Sequence, residues 1–428
     1  MSDAPVVDYH QMWAELGLDL PMHDALLEAV GGMYGGTFMT QKNRPEGMGY
    51  LDFVMSEVHG LRIKELDDFR KSGGKVVGTY CLYVPEELIR AAGTWSVGIC
   101  AGAEWAYDQV EQILPRNTCA LIKSMMGFKL GKVCPYLEEA DLLVGETTCD
   151  GKKKAYEELG KLQNLYVMEL PQMKRAKDVA FWRSELVDLI AKLDELTGKK
   201  VTVESLRASI KEVNDKRRAL QRIAAARAAD PAPISGLDSL LAVQVAFYDD
   251  VPRFTQSMNA LADELEKRVA DGVGVAPKGA PRILITGTPM ALPNWKLHEI
   301  VEKAGGIVVG EEMCTGSRYY EKLVDEDATT LDEMLDDIAA KYLDINCACF
   351  TPNTGRIDDV IRMAKGLKAD GVIDYALSFC GTYQIESAGV ARAVQAADMP
   401  VLRIETDYSA EDVGQLSTRV EAFLEMVK

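Results

Sequence analysis

Two stretches of this chain alternate short β-branched runs with helix-forming segments, and that alternation constrains the fold more than any other feature. In the first, Val76–Tyr80, Trp95–Ile99 and Leu142–Val144 read as strands separated by helices that open near Pro85 and run through Trp105–Ile113. In the second, Arg282–Thr286, Ile307–Val309, Asp344–Ala348, Gly371–Leu377 and Val401–Ile404 alternate with helices over 295–304, 331–342, 358–367, 383–397 and 411–426. Strands joined by helices must pair in parallel. The expected fold class is therefore α/β, with two doubly wound parallel-sheet domains.

The remaining segments are helical in pattern. Residues 1–70 form an N-terminal helical segment, and residues 71–165 the first α/β domain. Residues 166–280 are a highly charged helical insert that ends in a Gly- and Pro-rich linker, with a short strand-like run at Tyr166–Leu170. Residues 281–428 form the second α/β domain. Two such domains facing one another leave a cleft at the carboxyl ends of their strands.

Charge excludes several partners. The net charge of −18 comes with no basic stripe, which argues against a nucleic-acid or anionic-membrane partner. The start, MSDAPVVDYHQMW, is not a signal peptide, and no run approaches about 18 apolar residues, so a cytoplasmic protein is expected.

Nine cysteines then need an explanation: Cys81, Cys100, Cys119, Cys134, Cys149, Cys314, Cys347, Cys349 and Cys380. An odd number in a large chain without an export signal argues against a disulfide framework. Any one of them could be a small buried hydrophobe. Most, however, stand at predicted strand ends on both domains, where packing residues would instead be scattered. Convergent thiolates suggest a metal centre. Zinc favours CxxC pairs or Cys/His mixtures, but there is no CxxC, and His10, His23, His59 and His298 lie away from the cysteines. Iron–sulfur clusters accept thiolates from scattered loops, and Cys149, opening a helix, gains from the helix dipole.

Other chemistries lack their residues. No Ser–His–Asp or Cys–His arrangement, Gly-x-Gly-x-x-Gly after a first strand, or Walker A sequence is present. Lys152-Lys153-Lys154 reads as a solvated helix face rather than a phosphate site. Arg318 shares a turn with Cys314 and is a candidate cleft cation. Glu146 and Glu405 lie in strand-end segments and are candidate acids or helix caps.

PRNTCALIKS (115–124), KVCPY (132–136), VGETTCDGKKK (144–154), IETDYS (404–409) and GQLSTR (414–419) together resemble the 2-hydroxyacyl-CoA dehydratase/benzoyl-CoA reductase subunit family over nearly the whole chain. The resemblance implies flavodoxin-like lobes around a cysteine-bound cluster, fed single electrons by a separate dimeric iron–sulfur ATPase. The family's three ligands to one [4Fe–4S] cluster match Cys119, Cys149 and Cys380. The surplus cysteines resemble the double-cubane branch, whose [8Fe–9S]-type centre needs six thiolates and whose subunit pairs with itself. Three further ligands are then expected among Cys100, Cys134, Cys314 and Cys349, leaving Cys81 and Cys347 as packing residues. The implied activity is ATP-dependent, low-potential reduction of a small substrate. A 2-hydroxyacyl-CoA dehydratase subunit with one [4Fe–4S] cluster and an electron-storing cluster carrier are the alternatives.

Overall fold

The computed structural model describes residues 8–427. It contains two four-stranded, wholly parallel sheets. Strands β1 (Val76–Thr79), β2 (Trp95–Gly98), β3 (Leu142–Glu146) and β4 (Leu165–Met168) lie in the order β2-β1-β3-β4. Strands β5 (Arg282–Gly287), β6 (Ile307–Glu312), β7 (Gly371–Leu377) and β8 (Val401–Thr406) lie in the order β6-β5-β7-β8. Every residue of β3, β5, β6 and β7 is buried, as a parallel sheet covered on both faces requires. In each sheet the chain leaves its first strand for one side and returns on the other, opening a crevice at the carboxyl ends.

Two expectations are corrected. The strand-like run near Tyr166 belongs to the first sheet as β4, paired with β3 (Val144 opposite Tyr166), so that sheet continues past residue 165. Asp344–Ala348 is a turn rather than a strand. The helix Leu331–Leu343 runs up to it, and the Phe350 N–H closes back on the Cys347 carbonyl at 3.1 Å. Asn346 is tied sideways to Lys174 (2.6 Å) and Asp359 (2.7 Å), so the segment joins no ladder.

The charged insert binds the two sheets together. Thr202 and Ser205 cap the helix Val203–Ala226 reciprocally. Its inner face buries Arg217, bonded to Glu87 of the first domain at 2.5 Å and to Tyr342 of the second at 2.9 Å. One residue past its end, the fully buried Arg227 meets both oxygens of Glu311 on β6 at 2.7 Å. The following helix, Gly236–Val245, is buried along its whole length and brings Gln244, Phe247 and Tyr248 to the crevice. No helix among the described residues is long and apolar enough to cross a membrane.

A candidate iron–sulfur centre

The carboxyl ends of β1, β2, β3, β5, β6 and β7 open onto one cavity of about 610 Å³. Eight of the nine cysteines line it: Cys81, Cys100, Cys119, Cys149, Cys314, Cys347, Cys349 and Cys380. Seven of them fall into two groups. Cys119 contacts Cys380, and Cys149 is close enough to feel both. On the other side Cys81 contacts Cys314, and Cys347 contacts Cys349.

The first group sits on helix N-termini. Cys119, Cys149 and Cys380 are the N-cap residues of the helices Ala120–Leu130, Asp150–Leu159 and Gly381–Ala396. Three positive dipole ends and their unpaired N–H groups therefore converge on three sulfurs. The Lys152 N–H donates to the Cys149 sulfur at 3.4 Å. Contact with Cys380, helped by the N–H groups of Leu121 and Ile122, holds the Cys119 thiol below its ordinary pKa.

A buried cation flanks each group. Lys152 lines the cavity with its ammonium on Glu146 and 3.5 Å from the Tyr80 carbonyl. Burial opposes its charge, but Glu146 and the nearby thiols overcome that, and its pKa is raised. Arg318 stands behind the second group, gripping Glu312 through Nε at 2.5 Å and Nη2 at 2.7 Å. Contact with Cys349 and the charge of Arg318 bring the Cys347 thiol down to about 5.

The donor set fits a cluster better than a single ion. Among the described residues, no three His, Cys, Asp or Glu side chains close on one point. Zinc would require that, with its thiolates at about 2.3 Å. A cluster spreads its thiolates over separate irons, so its ligands stand apart around a volume. Soft sulfur donors, three helix N-termini and two buried cations suit an anionic iron–sulfur core filling that volume.

The site differs from the sequence expectations at several residues. Cys134 lies away from the cavity, lining a smaller one of about 50 Å³ with His59, Tyr136 and Tyr248, and burial pushes its thiol up to about 12. Cys100 borders both cavities, but its thiol donates to the Tyr80 carbonyl at 2.8 Å and is likewise pushed up to about 12 by burial. Cys81 and Cys347, expected as packing residues, line the main cavity. Glu405 is exposed on β8, and Glu146 is buried as the partner of Lys152. Only Lys153 and Lys154 form the solvated face expected of all three lysines. Lys152 shares a face with Ala155, Tyr156 and Leu159, a spacing visible in the sequence. Tyr383, not singled out from sequence, lines the cavity three residues after Cys380.

The sequence model of the family described as "2-hydroxyglutaryl-CoA dehydratase, D-component" matches residues 81–427. A protein named as a dehydratase subunit, YjiM of Escherichia coli (strain K12), is 39% identical over 84% of this chain and 93% of its own length. The (R)-phenyllactyl-CoA dehydratase beta subunit of Clostridium sporogenes is 25% identical over 83% of this chain and 92% of its own. A benzoyl-CoA reductase subunit of Thauera aromatica is 24% identical over 82% and 89% respectively. With the matched region spanning most of both domains, the chain belongs to the 2-hydroxyacyl-CoA dehydratase/benzoyl-CoA reductase subunit family.

Proposed function

We propose that this chain is a cytoplasmic, homodimeric reductase holding a double-cubane [8Fe–9S]-type cluster, reduced by a separate iron–sulfur ATPase. The observation that carries this reading is the pair of thiol groups around one cavity. Cys119, Cys149 and Cys380 would hold one half. Cys314 and Cys347, with one of Cys81 and Cys349, would hold the other. Cys134 stands outside the cavity, and Cys100 is turned onto the Tyr80 carbonyl, so neither is assigned as a ligand. Once bound, such a cluster supplies single electrons at low potential.

The residues around it do the rest. Phe247, Tyr248, Leu292 and Phe379 keep the cavity largely apolar, which excludes water and strengthens electrostatic interactions inside it. Lys152 and the three helix N-termini stabilise negative charge that builds up on reduction. Among the lining residues Lys152 is the one cation, and Glu146 already engages it. This favours a small, uncharged substrate over a CoA ester, whose phosphates call for Lys and Arg of their own.

A second reading, a 2-hydroxyacyl-CoA dehydratase subunit with one [4Fe–4S] cluster, is favoured by the names of the relatives. Turnover by anaerobically purified protein decides between them. The reductase reading predicts reduction of a small unsaturated substrate that requires both ATP and the activator. Dehydration of a 2-hydroxyacyl-CoA ester would overturn it in favour of the second reading. Stable reduction without turnover of either substrate would overturn both and point to a carrier.

A further inference from the structure

Tyr383 touches both thiol groups. Its backbone N–H donates to Cys380, in the first turn of the helix Gly381–Ala396. Its hydroxyl oxygen lies 3.4 Å from the Cys347 sulfur in the second group. The ring is buried, and its hydroxyl also meets Nη1 of Arg318.

The chemistry of Arg318 fixes the direction of these bonds. A guanidinium donates and never accepts. The Tyr383 oxygen is therefore the acceptor toward Arg318, which leaves its single hydrogen free for Cys347. Arg318 cannot swing away, because Glu312 holds two of its nitrogens. Glu312 is itself fixed by the Thr286 hydroxyl at 2.6 Å and by Arg356 at 3.2 Å. Arg356 stacks 4.9 Å from the centre of the Tyr383 ring, so cations border the phenol on two sides. A phenol polarised by guanidinium groups is a stronger donor than a free one.

We propose that Tyr383 is a positioning residue that tunes the bound cluster, raising the midpoint potential of the half held through Cys347. The physical reason is that a hydrogen bond to a ligand sulfur draws off charge and favours the more negative, reduced state. This inference rests on the cluster reading above and adds a tuning residue to it.

The test is an EPR-monitored redox titration of Tyr383→Phe beside the parent, both purified without oxygen and matched for iron and sulfide. The expected result is one signal moved to a more negative midpoint potential, with the other signal unmoved. An unchanged midpoint at full iron loading overturns the proposal while leaving the cluster reading intact. Parent protein without iron overturns both. Should Tyr383→Phe fail to load iron, a ring-fluorinated tyrosine at position 383 keeps the shape and strengthens the donor. It must move the same midpoint upward, and no movement overturns the proposal.

Discussion

Replacing Arg227 by Met should destabilise the seam between the insert and the second domain. Glu311 is fully buried and receives two hydrogen bonds of 2.7 Å from Arg227, leaving His298 at 3.1 Å as its other partner. Burial disfavours its charge, yet Arg227 outweighs burial and brings the carboxyl from 4.5 to about 2. That difference is worth roughly 3 kcal/mol at about 1.36 kcal/mol per pH unit. Breaking a buried pair by deleting one partner typically costs about 3–5 kcal/mol, so the two routes agree. At about 2 cal/mol/K per residue, the 428-residue chain should lose about 3–5 °C in Tm. The carboxyl pKa is depressed, so its stabilisation is present above about 4.5 and lost as pH falls toward about 2. The deficit of Arg227→Met should therefore be largest near neutral pH, where the buried Glu311 has lost its cation, and should narrow as pH falls through about 4.5. Calorimetry across that range measures it, and Arg227→Met/Glu311→Leu should recover most of the loss. A Tm within about 1 °C of the parent, or a deficit that ignores pH, would refute the reasoning.

Three further outcomes follow from the geometry. Cys149→Ala should lose about half of the bound iron, whereas Cys134→Ala, outside the cavity, should keep all of it in the same assay. Burial lowers His23 to about 4 and His59 to about 3, and the two rings share a 3.0 Å hydrogen bond. Both stay neutral in the fold, so stability should be full above about pH 6.5 and fall toward pH 4, with a shallower slope in His59→Gln by urea titration. Gly287 has φ +142°, and a Cβ there would stand 1.8 Å from the Tyr375 carbonyl oxygen. Gly287→Ala should consequently give little folded protein, read by circular dichroism of the purified chain.

The sheets were legible because buried parallel strands appear as continuous apolar runs, and β3, β5 and β7 stand almost where those runs lie. Asp344–Ala348 misled because Ile345, Cys347 and Cys349 alternate as a strand does, although the side chains of Asn346 and its neighbours divert the backbone. At the site, predicted strand ends pointed to Cys81, Cys100, Cys149, Cys314 and Cys380, and all five line the cavity, since a strand end in this fold faces the crevice; Cys349 was drawn from a strand that is absent, and Cys119 only from the family resemblance. Cys134 was likewise drawn from the resemblance, and it opens a helix on the far side of Tyr248, away from the main cavity. Cys347 and Arg318 were not connected by sequence either. Their link runs through Tyr383, contributed by a different helix some 36 residues away from Cys347.

Iron and acid-labile sulfide per chain, measured on protein purified without oxygen, test the central claim most directly. The two groups of thiols predict about eight irons with matching sulfide. About four irons would contradict the double-cubane reading and leave a single-cluster subunit, and zinc without sulfide would contradict the iron–sulfur assignment altogether.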